Sequence, residues 1–505
     1  MINKIQNIQL EAFILALAIN LFIPNLHLAQ ENNETNRPNV LFIASDDLND
    51  WIGVLNGHPQ VKTPNIDRLA ARGTLFTNAH TQAPLCNPSR VSIMTGLRPS
   101  TTGIYGLAPR HRQIEKTKDV ITLPQHFAAN GYRTLSGGKV LHAGITPEER
   151  EVEFQEWGPN GGHAPMPEQK LVKEPLDMVN HPLVDWGVYP VDDEAAMDDY
   201  QVATWAVEQL AREDIREKPF FLAVGFNKPH VPLYTTQKWF DLYPEEGIIL
   251  PPAPEGDRDD VPNFAWYLHW FLPEPRLSWV IENNQWRAKV RAYLATISFM
   301  DAQVGRVLDA LETQGLDDNT IVVFWSDHGY HLGEKDITGK NTLWERSTRV
   351  PLIFAGQGVS TNAQSSQPAE LLDMYPTLVE LAGLPTKSGL EGLSLVPQLK
   401  NAATPREQPA ITTHNPWDVA VRSERWRYIR YADGSEELYD HLRDPGEWAN
   451  LAKNSEYAEV ISELAAWLPA EDAQHAPGSR ARILVRENEE WLWEGKPIKF
   501  DELIR

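Results

Sequence analysis

Val40-Leu41-Phe42-Ile43-Ala44-Ser45-Asp46-Asp47 is an apolar run of strand type that stops at two adjacent carboxylates. The same kind of run recurs at Tyr132 to Ser136, Phe220 to Gly225, Thr320 to Ser326 and Leu352 to Ala355. Helical patterns lie between them. Thr63-Pro64 reads as a cap and first helical residue, with Gly73 as the stop. Leu123 to Ala129 stops at Asn130-Gly131, Ala195 to Arg212 is amphipathic, and Val290 to Leu311 is a long helix ending near Gly315. Leu371 to Leu381 closes the series. This alternation predicts an α/β fold, a large mixed, mostly parallel sheet sandwiched by helices.

The pattern changes after about residue 405. Short alternating strands fill Ala420 to Asp440, with Asp433-Gly434 as a hairpin turn between Trp426–Tyr431 and Glu437–Tyr439. A helix over Tyr457 to Trp467 follows. The expected division is residues 1–29 as an export signal, 30–404 as the catalytic domain and 405–505 as a smaller C-terminal α+β subdomain. Residues 150–192 and 253–285 are rich in Pro, Trp, Asp and Glu with weak periodicity, and read as functional insertions over the site.

Of the 505 residues, Lys plus Arg supply 46 and Asp plus Glu 69, a formal net charge of −23. That balance argues against nucleic-acid binding and against a basic membrane-surface role. A polyanionic substrate would need a local basic pocket in this acidic body. In the N-terminal segment Lys4 precedes the apolar run Phe13 to Ile23, broken only by Asn20, and Ala29 precedes the expected cleavage point. His27 departs from the small-residue rule there. The run is shorter than the ~20 residues a membrane span needs; an N-terminal anchor or buried helix is the competing reading. The expectation is a periplasmic or secreted protein without stable membrane insertion.

In an open α/β sheet, ligands bind at the carboxyl ends of strands. Asp46-Asp47 sits at one such end and suits a hard divalent cation; alone, it reads more readily as a helix cap or solvated turn. Ser326-Asp327-His328-Gly329 sits at another. Gly138-Lys139-Val140-Leu141-His142 follows a third strand and Asn227-Lys228-Pro229-His230 a fourth. Each string by itself fits a solvated loop. The chain's one cysteine opens Cys86-Asn87-Pro88-Ser89-Arg90, with Thr95-Gly96 downstream. A lone thiol is either inert and buried or the reactive atom of a site.

Cys-x-Pro-Ser-Arg followed by Thr-Gly resembles the signature of the type I sulfatases, in the alkaline phosphatase superfamily, and the resemblance runs from about Arg37 to Leu451. It implies that a formylglycine-generating maturation enzyme converts Cys86 to 3-oxoalanine (formylglycine), whose hydrate attacks sulfur and forms a covalent sulfo-enzyme. It implies one Ca²⁺ per chain, bound by Asp46, Asp47, Asp327, His328 and residue 86. Many sulfatases carry Asn where this chain has His328; the Asp-His-Gly form resembles the iduronate-2-sulfatase branch, and imidazole is a softer ligand. By the same resemblance Arg90 holds the aldehyde oxygens and the metal carboxylates, and Lys139 bridges diol and sulfate. His142 is the base for sulfate release. His230 protonates the leaving alcohol, and Lys340 binds sulfate and shares that role. Lys335 is the competing lysine but fits the spacing worse. Arg90, Lys139, His142, His230 and Lys340 would make the positive pocket. Glu437-Leu438-Tyr439-Asp440 through Asn450-Leu451 resembles the C-terminal sulfatase subdomain, with His414 and Trp417 as substrate contacts.

The implied partner is a sulfated carbohydrate, with a uronate-containing glycan such as ulvan or a glycosaminoglycan favoured. Two alternatives remain at this stage. One is a phosphonate or phosphodiester hydrolase of the same superfamily; the other is a non-catalytic protein that binds sulfated glycans.

Overall fold

The computed structural model describes residues 37–499 except 143, 164–165, 175–180 and 270–271. Residues 1–29, expected to be an export signal, lie outside the described residues. Eight strands form the main sheet: β1 (Asn39–Asp46), β2 (Gly73–Phe76), β3 (Arg133–Gly138), β4 (Glu156–Asn160), β5 (Phe220–Pro229), β6 (Thr320–Ser326), β7 (Leu352–Ala355) and β8 (Ala363–Ser365). Their spatial order is β8-β2-β7-β6-β1-β5-β3-β4. Only β7 runs against its neighbours, β6 and β2; every other pairing is parallel. The sheet is therefore mixed and mostly parallel, as expected.

Side chains alternate across a strand, and β1 shows both faces buried. Leu41 and Ile43 enter one core with α1 (Pro64–Ala71), α4 (Asp198–Leu210) and the long α5 (Trp286–Thr313). Val40, Phe42 and Ala44 enter the other with α2 (Cys86–Thr95), α3 (Leu123–Ala129) and α6 (Met374–Leu381). An unbroken apolar run, rather than an alternating one, is what a strand covered on both faces requires.

The C-terminal part holds an antiparallel sheet in sequence order, β9 (Ala410–Asn415), β10 (Asp418–Arg422), β11 (Trp426–Arg430) and β12 (Glu436–Asp440). The helix α7 (Ala458–Ala465) packs on it through Val460, Ile461 and Leu464. The subdomain braces the loop leading to Cys86: the Thr413 amide donates to the Gln82 carbonyl at 2.8 Å, and the Thr412 hydroxyl to the Thr81 carbonyl at 2.5 Å. A further three-stranded sheet spans residues 484–497 and was not anticipated.

Three local expectations differ. Thr63 occupies the position before α1 but makes no side-chain cap; its hydroxyl accepts from the Gly53 amide at 2.8 Å and donates to Asp67 at 3.2 Å. Gly73 does not stop that helix in a left-handed turn. It opens β2, where a Cβ would run into the Phe354 carbonyl of the neighbouring strand. Within the first insertion, residues 156–160 form β4, an edge strand. Pro159 hides that strand from sequence reading, because an edge is where a sheet tolerates proline.

Gly225 on β5 lies against the backbone of Lys139, whose amide donates to the Gly225 carbonyl at 2.8 Å. A Cβ at Gly225 would fall inside contact distance of the Lys139 carbonyl group. We expect Gly225→Ala to cost about 1–3 kcal/mol, the usual penalty of overpacking, read as a lowered Tm in thermal unfolding. A Tm equal to that of the native sequence would contradict this packing.

Candidate active site

Four neighbouring parallel strands, in the order β6-β1-β5-β3, deliver their carboxyl ends to one place. Ser45 is level with Ser326, Asp46 with Pro229, and Gly138 with Gly225. The residues just beyond those ends are Asp327 and His328, Asp47, His230, and Lys139 with His142. Asp47 takes a left-handed turn, φ 63°, a conformation Asp tolerates better than most residues. Its amide donates to Asp327 Oδ1 at 3.2 Å. Cys86 is the first residue of α2, whose residues are all buried. The thiol therefore sits at the positive end of a buried helix.

Around the thiol, acids and bases alternate. Cys86 Sγ lies 3.2 Å from His328 Nε2 and 3.2 Å from Lys340 Nζ. Lys340 Nζ donates to Asp47 Oδ1 at 2.7 Å. Lys139 Nζ donates to Asp46. Arg90 Nε donates to Asp327 Oδ2 at 2.9 Å, and its Nη2 reaches Asp46 Oδ1 at 3.4 Å and the Ser45 carbonyl at 3.2 Å. Its other terminal nitrogen donates to the carbonyls of Lys139 and Val140. Thus one guanidinium ties the ends of β1, β3 and β6 to α2.

This arrangement is not the simple positive pocket expected from the sequence. Arg90, Lys139 and Lys340 are matched one for one by Asp46, Asp47 and Asp327, so the fixed charges of these six groups cancel. A dianion would find net attraction here only with additional positive charge, such as a divalent cation. The donor set fits one. The ligand atoms of Asp46, Cys86, Asp327 and His328 all lie within 4.8 Å of one another, as do those of Asp46, Asp47, Cys86 and His230. Oxygens facing each other across Ca²⁺ are about 5 Å apart, given bonds of 2.3–2.6 Å. Asp47 Oδ2 is buried without a hydrogen-bond partner. His328 Nδ1 sits 3.0 Å from the Gly329 carbonyl; donation there leaves Nε2 as the ligand atom.

The titration shifts carry the same strain. Burial pushes Asp327 up to about 7, with Asp46 adding to it against the pull of Arg90. Asp46 goes the other way: burial would raise it, but Lys139, His230 and Arg90 hold it well below the carboxylate range. His328 is raised to about 9, because Asp327 and Cys86 outweigh its burial. The Cys86 thiol is held well below its ordinary value, despite burial, by Lys340, Lys139 and His328.

Burial lowers the pKa of His142, against the opposing pull of the neighbouring Cys86, and its Nδ1 is buried without a hydrogen-bond partner. His230 Nδ1 lies 2.6 Å from the Val231 carbonyl, and its Nε2 4.0 Å from Asp47 Oδ2. The structure brings Lys340 to the thiol and not Lys335, which is buried against Asp257 at 2.7 Å. His414 is also placed elsewhere: it is buried beside Tyr267 at 3.0 Å and Trp493. Trp417 is 39% exposed, and its amide donates to Asp472. Both insertions approach the lysines. Gly161 packs on the Lys139 amide, and Glu274 of the second insertion packs on Gly339 beside Lys340. His163, absent from the sequence reading, packs at a tilt against His230 with ring centroids 5.2 Å apart; the Gly161-Gly162-His163 string was its only signal. A second acidic cluster, Glu345, His441 and Glu447, is already neutralised by Arg427 and Arg422.

The family profile described as "Sulfatase" matches residues 38–384, and one described as "N-sulphoglucosamine sulphohydrolase, C-terminal" matches 333–474. A Formosa agariphila protein named "Sulfatase" is 43% identical over 456 residues, covering 88% of this chain and 89% of its own. Human iduronate 2-sulfatase is 35% identical over 398 residues, covering 70% of each chain. The solved phosphonate monoester hydrolase of Agrobacterium radiobacter superposes with a TM-score of 0.69 at 22% identity, covering 85% of this chain and 94% of its own. That last likeness concerns the fold, which is shared across reactions. The profile match over most of the chain and the near full-length identity to sulfatases are specific: the chain belongs to the sulfatase family, enzymes that hydrolyse sulfate esters.

Proposed function

We propose that the protein removes sulfate from a sulfated, uronate-containing glycan such as an ulvan or glycosaminoglycan oligosaccharide. In this reading Cys86 is converted to formylglycine by a maturation enzyme, and one Ca²⁺ is held by Asp46, Asp47, Asp327, His328 and residue 86. The observation that carries it is the Cys86 sulfur lying 3.2 Å from both Lys340 Nζ and His328 Nε2, inside a ring of carboxylates. The aldehyde hydrate supplies a nucleophile with a second hydroxyl, and the ion supplies the positive charge that the six cancelling groups lack.

The chain's own side chains do the remaining work. An ammonium has three N–H donors: Lys139 spends one on a carboxylate and keeps two for sulfate oxygens, while Lys340 spends one on Asp47 and one on residue 86 and keeps one. Arg90 spends its donors on Asp327, Asp46 and backbone carbonyls. It therefore positions the acids rather than contacting sulfate. His142, beside residue 86 and with its pKa lowered by burial, would take a proton from it. His230, with Nδ1 committed to Val231, offers Nε2 for proton transfer to the leaving oxygen.

Three features favour a sugar ester: the relative named iduronate 2-sulfatase, the two insertions beside the lysines, and the seventeen Trp residues. The export reading of residues 1–29 places the reaction in the periplasm or outside the cell. Among the described residues no helix is long and apolar enough to cross a membrane.

Protein matured in a host that makes formylglycine should release inorganic sulfate from a panel of sulfated uronate oligosaccharides, measured by ion chromatography. Cys86→Ala should lose at least about 10³-fold of that rate, as loss of a covalent nucleophile does. Release from phosphonate monoesters with no action on any sulfate ester would overturn the reading. A second expectation concerns the ion. Dialysis against EDTA should abolish turnover and lower the Tm, and added Ca²⁺ should restore both, by about 2.7 kcal/mol at a hundredfold excess over Kd. Full activity after chelation, confirmed metal-free by elemental analysis, would contradict the cation site.

A further inference from the structure

His163 belongs to none of the motifs that mark the site. It lies in the first insertion, after Gly161-Gly162 and beyond the edge strand β4. Its ring packs at a tilt against His230, centroids 5.2 Å apart and planes inclined by 34°. Asn227 Nδ2 lies 2.8 Å from His163 Nδ1. An amide NH₂ is only a donor, so Nδ1 accepts and the ring proton resides on Nε2.

The surroundings hold this ring in place. The amides of Asn227 and Lys228 donate to the two oxygens of the buried Asp199 at 2.7 and 2.9 Å. That carboxylate therefore fixes the loop that carries both Asn227 and His230. A Cβ on Gly161 would lie 2.6 Å from the Lys139 amide, and one on Gly162 would strike the Asp198 carboxylate. The segment entering His163 is thus seated directly on the site's wall. Burial, with the positive charge of His230, Lys139 and Lys228, lowers the His163 pKa to about 3. The ring is neutral at any working pH.

We propose that His163 is a substrate-binding residue whose Nε2–H donates a hydrogen bond to an oxygen of the alcohol part of the ester, beside the oxygen that His230 protonates. This deepens the glycan-sulfatase reading and rests on it. The class of acceptor follows from the donor. A neutral, fixed N–H suits a hydroxyl, ring or carboxylate oxygen on the sugar and adds nothing to the pull on sulfate. It would discriminate sugar esters from esters that lack a neighbouring acceptor, since a site built to donate a hydrogen bond penalises a partner lacking it.

Two variants separate this from a packing role. His163→Phe keeps an aromatic face on His230 and removes the N–H; His163→Gln keeps an N–H donor and removes the ring. With a 2-O-sulfated uronate disaccharide, H163F should lose about tenfold or more in kcat/KM, and H163Q should keep most of it. With 4-methylumbelliferyl sulfate, which has no sugar oxygens beside the ester, H163F should match the native sequence. Inhibition by inorganic sulfate should be unchanged in both variants. Equal loss of H163F on the two esters, or no loss on the disaccharide, would overturn the proposal. So would ¹⁵N NMR of histidine-labelled protein showing His163 protonated at Nδ1 at neutral pH. A native protein that releases sulfate from neither ester would instead reject the glycan-sulfatase reading itself, and the NMR result would still judge the ring.

Discussion

The structure depends on burying three carboxylates beside three cations in one spot. Asp46, Asp47 and Asp327 are wholly buried, and each has Arg90, Lys139 or Lys340 against it. An unpaired buried charge costs several kcal/mol, and removing one member of a buried pair typically costs about 3–5 kcal/mol. None of the six can therefore be placed without the others. Arg90 binds this set to the backbone of three strands, so the site and the sheet's carboxyl edge are one mechanical unit.

The fold meets this demand through parallel strands. Only a parallel arrangement lets four adjacent strands end at the same edge, and here β6, β1, β5 and β3 do so in near-level register. The two cores that cover the faces of β1 keep water from the charges behind the site. The helix that begins at Cys86 then needs only to approach that edge from one face. The C-terminal sheet holds its lead-in loop at Gln82 and Thr81. With the charges of these six groups cancelling, the proposed cation would supply the net attraction for a sulfate ester, independently of the acidic body of the protein.

Much of this was legible in the sequence because the informative residues are local to strand ends. An apolar run halted by Asp-Asp, Asp-His, Gly-Lys or Lys-Pro-His announces both a buried strand and a polar edge. The contact of Arg90 with the acids was legible, but the pairing of each lysine with one acid was not, since it arises between residues far apart in the chain: Lys340 with Asp47, Lys139 with Asp46. The choice of Lys340 over Lys335 followed spacing, while the physical reason is that Asp257 neutralises Lys335 elsewhere. Strand β4 escaped notice because Gly158 and Pro159 mask it. His163 escaped because its contacts are a tilted ring and an amide from a different segment, His230 and Asn227. Gly73 and Thr63 carried the usual helix-end signals, yet tertiary contacts reassigned both.

The central claim is that residue 86 works as an aldehyde rather than a thiol, at the focus of those paired charges. The most direct measurement is the mass of the tryptic peptide ending at Arg90, taken from protein that releases sulfate. The account predicts a peptide about 18 Da lighter than the cysteine form, the difference between thiol and aldehyde. An unmodified thiol in fully active protein would contradict it.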